Sequence, residues 1–385
     1  MAEHSYLRAR SRASIRRRRA LLIGAAAALV VAASVAGTLA WTAFTADADP
    51  DSTAAPTIEQ TPEPTRTPPP LTAAERLLRE AGDANACAVS FEGEGIDQAP
   101  ILQQQGFLFN TLPLPAKEGA VFAGWYATPE DAAARTVAGR VNGSRIVECV
   151  DQEVTLHGAW VTPDENIAEN AQIPILMYHQ FTLEPEGEPG WLRLNYAYIG
   201  DFDAQMKYIA DSGFYLPTWD ELGAFIDGRL FLPNHSVIIT DDDADWTWFD
   251  YAAPVIDKYK LLTTSFMVTA WRQNGPPNPY TLVRSHSNDM HRAGSDGEGR
   301  ILTMPHDEIV ADLEESARII GAKEIFAYPF GDHDEAAKQA VADAGYELAR
   351  TIDQGYVHVG SDKLALPCIR INYGMGADAL ANLIG

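Results

Sequence analysis

The stretch Ser236-Val-Ile-Ile-Thr-Asp-Asp-Asp-Ala244 constrains this chain more than any other. Val237 to Thr240 are apolar or β-branched, the signature of a short buried strand. Asp241, Asp242 and Asp243 follow without a break. Side chains alternate along a strand, so Asp241 and Asp243 are expected on one face and Asp242 on the other, unless the strand ends among them. Three adjacent carboxylates at the end of a buried strand repel one another and lose hydration, a penalty that a nearby cation removes. The run therefore reads either as a metal or catalytic site or as an acidic turn.

From residue 173 onward, apolar strands alternate with helical segments. Strands are expected at 173–178, 236–240, 263–270, 282–286, 325–329, 347–352 and 366–371. Helices are expected at 201–212, 218–227, 250–259, 307–320, 334–344 and 377–384, the second opened by the capping box Thr218-Trp-Asp-Glu221. Such alternation implies a parallel sheet or barrel with its chemistry at the carboxyl ends of the strands. The Asp run sits at one such end. A second end carries Arg284-Ser-His-Ser-Asn-Asp-Met-His291, where His286 and His291 are too far round to share a helix face but can converge across a strand-to-loop turn. A third carries Phe326-Ala-Tyr-Pro-Phe-Gly331. The Gly-rich, polar segment 292–304 reads as a mobile loop beside this site, and Trp246 and Trp248 read as sugar-stacking or core residues.

Together Pro174-Ile-Leu-Met-Tyr-His179, Thr240-Asp-Asp-Asp-Ala244, Ser285-His-Ser-Asn-Asp-Met-His291 and Ala327-Tyr-Pro-Phe-Gly331 resemble the ordered motifs of the NodB-homology polysaccharide deacetylases, carbohydrate esterase family 4, over nearly all of 173–385, within a domain expected at 172–385. The resemblance implies an irregular (β/α) barrel of about seven strands and removal of acetyl groups from polysaccharide sugars with one divalent metal, usually Zn²⁺. It implies Asp242 as general base and Asp243, His286 and His291 as metal ligands. The segment Tyr328, Pro329 and Phe330 would bind substrate, a backbone N–H near Phe330 would hold the oxyanion, and Ser287 would orient the His loop. Two imidazoles and one carboxylate leave positions open for water and an acetyl oxygen, which suits a catalytic metal. The chain also departs from the family. Asp241 replaces Phe, Ala244 replaces Gly, and Ala327 replaces the Arg that usually partners the base. The spacing of His286 and His291 resembles the branch acting on poly-N-acetylglucosamine exopolysaccharide. No Leu-x-His motif is found near the end of the chain, which leaves the general acid unnamed; His179 is a candidate, with a structural His as the alternative.

Residues 84–162 are β-rich, with strand-like runs at Ala88–Phe91, Ala120–Tyr126 and Val154–Trp160. Val89-Ser-Phe91, Leu112–Gly119, Phe122-Ala-Gly-Trp-Tyr126 and Val154–Trp160 resemble the Listeria–Bacteroides (internalin B-type) repeat, which implies a small β-grasp-like module with Trp125 and Trp160 as core. Cys87 and Cys149 both fall in it, and outside the cytoplasm a bridge between them would stabilise by about 4 kcal/mol in the chain-entropy model. Cys368, the third cysteine of the chain, would remain a buried thiol.

Upstream, residues 21–44 carry no charge and at ~1.5 Å per residue cover a hydrocarbon core of ~30 Å. Residues 1–20 form a basic tail with Arg16–Arg19 at its end, so the positive-inside rule places the tail in the cytoplasm and residues beyond 45 outside. A cleaved signal peptide is the rival reading. Residues 45–71 form a Pro/Thr-rich linker, and Thr72-Ala-Ala-Glu75 caps a short helix that stops near Gly82. The net charge is −24, and because residues 1–20 hold seven Arg against one Glu the rest of the chain carries about −30, which argues against a nucleic acid partner. The fold class expected is thus α/β: a (β/α) barrel, a small β-grasp-like module and an amino-terminal transmembrane helix. The function expected is a single-pass, extracytoplasmic, Zn²⁺-dependent N-deacetylase of N-acetylated cell-envelope polysaccharide, either exopolysaccharide or peptidoglycan. The alternative is a catalytically degenerate, glycan-binding surface protein.

Overall fold

The computed structural model describes residues 70–275, 278–294 and 297–385. The basic tail, the uncharged run 21–44 and nearly all of the linker lie outside the described residues. Among those described, no helix is long and apolar enough to cross a membrane. Helix α1 (Ala73–Ala81) opens on the expected capping box, with both halves formed between Thr72 and Glu75, and closes on Gly82 in the left-handed conformation.

A five-stranded mixed sheet comes next, built from β1 (Ala86–Glu92), β2 (Ile101–Gln104), β3 (Val121–Tyr126), β4 (Arg140–Val141) and β5 (Glu153–Val161) in the order β2-β1-β5-β3-β4. The central β1–β5 pair is parallel and the other pairs antiparallel. The short edge strands β2 and β4 are too brief to show a hydrophobic period and go unread in the sequence. Helix α2 (Pro129–Ala134) accounts for the helical character of the β3–β4 connection. Cys87 and Cys149 are bridged, with 6.2 Å between their Cα atoms. Trp125 is fully buried, its ring 4.6 Å from Phe91 and 5.0 Å from Phe122, and its indole N–H donates to the Pro113 carbonyl at 2.7 Å.

Helix α3 (Pro163–Glu169), whose capping box Thr162–Glu165 escaped the sequence reading, leads into the barrel. Strands β6 (Ile175–Tyr178), β9 (Ile238–Asp241), β10 (Thr263–Met267), β11 (Thr281–Ser285), β12 (Ile325–Ala327), β13 (Leu348–Gln354) and β14 (Leu366–Arg370) close into a ring of parallel strands in that order. A small parallel pair, β7 (Gln180–Thr182) and β8 (Tyr196–Tyr198), interrupts the alternation after β6. Helices α4 (Ile199–Ser212), α5 (Trp219–Ile226), α6 (Ala253–Tyr259), α7 (His306–Ile320), α8 (Glu335–Asp343) and α9 (Ala377–Ile384) fall where helical segments are expected. Strand β10 stops at Met267, short of the expected 270, and Val268–Arg272 form a turn instead.

One hydrophobic core runs from the mixed sheet into the barrel. Cys87, Phe122, Trp125 and Leu156 belong to the same cluster as the inward-facing Ile175, Met177, Ile238, Phe266, Leu348 and Cys368. The sheet thereby closes the amino-terminal mouth of the barrel. Trp219 of α5 lies beneath that mouth, its indole N–H donating to Thr264 Oγ1 at 2.9 Å. Buried polar groups secure the joint. Asn142 donates to the Leu216 carbonyl at 2.9 Å and to the Glu221 carboxylate at 2.5 Å, while the buried Arg140 guanidinium lies 4.4 Å over the Tyr215 ring. Glu221 also supplies the capping box of α5, so one carboxylate both starts that helix and docks the sheet.

Candidate active site

The chain leaves three of the barrel strands through non-glycine residues at positive φ: Asp243 (73°) and Ala244 (48°) after β9, Ser287 (74°) after β11 and Phe330 (62°) after β12. Such conformations cost L-residues about 1–2 kcal/mol, least for Asp, and persist only where the surroundings over-determine them. Their clustering at one mouth marks it as the functional end.

Because β9 ends at Asp241 and the backbone turns left-handed at Asp243, the strand ends among the three acids and simple alternation does not extend to Asp243. Asp241, not Asp242, is the odd one out. It shares a strand face with Ile239, is fully buried against the outer side of the barrel, and accepts from Ser265 Oγ at 2.8 Å. Burial, reinforced by the neighbouring acids, pushes its carboxyl well above the usual range. Asp241 is therefore kept away from the chemistry.

Asp243 instead meets the two imidazoles. Its Oδ1 lies 3.2 Å from His291 Nε2 and 3.6 Å from His286 Nε2. That Oδ1 is buried and has no hydrogen-bond partner, although Gln180 approaches the other carboxylate oxygen. Burial and the nearby Asp242 and Asp245 raise the Asp243 carboxyl to about 7. Burial lowers His286 to about 3 and also lowers His291, so both rings are neutral at pH 7 with lone pairs free. His286 Nδ1 contacts the Ala327 carbonyl at 2.8 Å. That contact places the ring proton on Nδ1 and directs the Nε2 lone pair at Asp243. Ligand atoms about 2.0–2.2 Å from a tetrahedral ion stand roughly 3.4 Å apart, close to the separations found here. The three residues thus fit a divalent metal by donor type and spacing, and a bound cation would favour the ionised form of Asp243.

Asp242 faces the barrel interior, where it forms an ion pair with the Arg350 guanidinium from β13, and both groups are buried. Arg350 is the residue missed from sequence. Ala327 stands where the family's usual Arg would partner the base, and Arg350, opposite it on the adjacent strand, supplies the cation instead. The signal was present as a lone charge in the otherwise apolar or hydroxyl-bearing run Leu348-Ala-Arg-Thr-Ile352. Burial opposes ionisation of Asp242, but Arg350, with smaller help from His179 and His286, outweighs it and holds the carboxyl at about 2. Asp242 is accordingly a carboxylate at any working pH. His179 Nε2 lies 3.7 Å from Asp242 Oδ2, and burial lowers this imidazole to about 4 against the pull of that carboxylate.

The third motif divides by side chain. Tyr328 turns outward into the helix-facing core and donates to the Leu364 carbonyl at 3.0 Å, and Pro329 is buried. Of these side chains only Phe330 faces the site, its ring 4.3 Å from His291. The Phe330 N–H donates to no group among the described residues. Ser287 Oγ accepts from the Met290 N–H at 3.1 Å and braces the His loop. Of the two tryptophans after the Asp run, Trp248 is core and Trp246 is exposed. In segment 292–304, Gly299 donates to Asp332 and Arg300 pairs with Asp289, which ties the described part of this loop to the rim.

Residues 232–349 match the family described as polysaccharide deacetylase. The chain is 24% identical over 239 residues to YxkH of Bacillus subtilis (strain 168), which carries a polysaccharide deacetylase description, covering 59% of this chain and 79% of that protein. It is 23% identical over 206 residues to the poly-beta-1,6-N-acetyl-D-glucosamine N-deacetylase of Staphylococcus aureus (strain MRSA252), covering 48% and 69% respectively. Among solved structures it is similar to the Streptococcus pyogenes deacetylase PplD in complex with acetate, at 22% identity and a TM-score of 0.47, over 56% of this chain and 99% of that one.

Proposed function

We propose, from the match of residues 232–349 to the polysaccharide deacetylase family, that the chain is a metal-dependent N-deacetylase of cell-envelope glycan, with poly-N-acetylglucosamine as the first substrate to try. The observation that carries this reading is the meeting of Asp243, His286 and His291 around a buried, unpartnered oxygen, beside a carboxylate held ionised by Arg350. A divalent ion such as Zn²⁺, when bound by those three residues, would polarise the acetamide carbonyl and acidify a water. Asp242 takes the proton as the water oxygen adds to the carbonyl carbon. The free Phe330 N–H is suited to the oxygen that gains charge. The C–N bond then breaks, acetate leaves, and the proton that Asp242 took from water passes to the departing amine, with His179, 3.7 Å from Asp242, as its available carrier.

The uncharged run 21–44 behind its arginine cluster we read as a single-pass membrane anchor, with the barrel extracytoplasmic. The Cys87–Cys149 bridge supports an oxidising compartment. We read the module at 84–162 as a β-grasp-like surface module of internalin type, on its sequence resemblance and its mixed sheet.

The test is acetate release from β-1,6-linked N-acetylglucosamine oligomers. Release should stop with chelator, return with added Zn²⁺, and fall at least about 10³-fold in Asp243→Ala. Metal-independent release, or tight glycan binding with none, would remove the hydrolytic reading and leave a glycan-binding surface protein.

A further inference from the structure

The His291 imidazole sits between two aromatic rings: Phe330 at 4.3 Å and Trp271 at 5.2 Å, the latter edge-on at 71°. Both rings remain open to solvent, Trp271 by 55% and Phe330 by 45%. Trp271 is not a residue of any of the motifs that mark the site. It stands on the turn after β10, and that turn is fixed to the His loop. The Thr269 N–H donates to the Ser287 carbonyl at 3.1 Å and the Ala270 N–H to the Asn288 carbonyl at 3.0 Å. Thr269 Oγ1 adds a third bond, to Asn288 Oδ1 at 3.0 Å. The Trp271 and Arg272 N–H groups close the turn on the Val268 carbonyl, and the Arg272 guanidinium lies 4.1 Å over the Phe249 ring.

Trp271 is therefore held in place while half its surface meets water. Leaving an indole in this state forgoes the burial energy of a large apolar group, and here the backbone is ordered on both sides of it. The ring stands at 71° to a proposed metal ligand, and more than half of its surface is open to solvent. A pyranose ring is the matching shape: an apolar C–H face to lie on the indole and a polar rim to meet the N–H and water.

We propose that the open face of Trp271 is the stacking platform for the sugar next to the one undergoing deacetylation, so that the site takes β-linked N-acetylhexosamine oligomers in preference to the single sugar. This rests on the deacetylase reading of the same site. Because the platform abuts His291, the neighbouring sugar lies beside the reacting acetamide and its binding positions that group.

The experiment measures binding to the chelator-treated full chain, where no turnover intervenes. The β-1,6-linked N-acetylglucosamine pentamer and the monosaccharide are titrated calorimetrically into wild type, Trp271→Ala, Trp271→Leu and Trp271→Phe. Wild type should bind the pentamer at least about ten-fold tighter than the monosaccharide. Trp271→Ala should lose most of that advantage. Trp271→Leu keeps apolar bulk against His291 without a flat face and should lose it too, which preserves the test if alanine fails to fold. Trp271→Phe should retain most of it. Pentamer affinity unchanged in Trp271→Leu, an equal loss for both ligands, or no preference in wild type would each overturn the proposal. Acetate assays on metal-restored protein separate this inference from its premise. Pentamer bound through Trp271 without acetate release defeats the deacetylase reading alone. Acetate release with an unchanged KM for the pentamer in Trp271→Leu defeats the platform alone.

Discussion

The two mouths of the barrel are built from opposite materials. The amino-terminal mouth is closed by Phe122, Trp125 and Trp219, packed in one apolar core with Phe266 and joined to the mixed sheet by hydrogen-bonded polar groups such as Asn142 and Glu221. The carboxyl-terminal mouth holds Asp242, Asp243, His179, His286 and His291, a buried oxygen without a partner, and four non-glycine residues at positive φ. The first is held by apolar packing and paired polar groups, while the second gathers unpaired ligand atoms and left-handed non-glycine backbone. The sheet, beyond any role at a surface, holds the barrel closed from below and lets strain persist above.

Arg350 lies between the two and should give the largest effect. Arg350→Met leaves the Asp242 carboxylate buried and unpaired, which typically costs about 3–5 kcal/mol. It also removes the charge that keeps the proposed base ionised, so stability and acetate release should fall together. The sign with pH comes from the depressed carboxyl. The pair's contribution is present above the unfolded value near 3.9 and disappears as pH falls towards about 2. Denaturant melts of wild type and variant should therefore converge in acid and diverge at neutral pH. A variant equally destabilised at every pH would mean that Arg350 acts by packing alone.

Trp125→Ala addresses the closed mouth. A buried tryptophan truncated to alanine costs about 3–5 kcal/mol through lost burial and the cavity left behind. Below its melting temperature the variant should retain kcat on acetylated oligomers within about three-fold, because no atom of the upper mouth touches Trp125. A collapse of kcat in folded protein would show that the two ends are mechanically coupled and that their separation is only apparent.

The same division explains what could be read in advance. The barrel strands are continuous apolar runs and the helices carry caps at Thr72 and Thr218, signals that are local and physical. The Cys87–Cys149 bridge was legible from composition and the expected compartment. Where tertiary geometry decides, sequence reading stopped short. Left-handed backbone at Asp243 reverses which acid of the run faces outward, and no period records it. Arg350 lies 108 residues from its partner Asp242. The closure of the lower mouth by Trp125 depends on how two sheets meet, which neither strand pattern contains.

The smallest expected effect is the most specific to the strained end. Ala244 stands where the resembling family has glycine, and it adopts φ 48° with its side chain buried. An L-residue in that region carries a steric penalty of about 1–2 kcal/mol, partly offset because alanine has less unfolded-chain entropy to lose than glycine. Ala244→Gly should therefore stabilise by less than about 1 kcal/mol, a rise of some 1–3 °C in Tm for a domain of this size. A substitution at a relaxed site of the lower mouth has no such gain available, since the glycine would add only entropy to the unfolded chain. A fall in Tm on Ala244→Gly would mean that the turn after β9 is relaxed, and that the upper mouth stores less strain than its backbone angles indicate. A rise in Tm accompanied by slower acetate release would mean that the methyl group of Ala244 holds Asp242 and Asp243 in register, so that the departure from glycine tightens the site it borders.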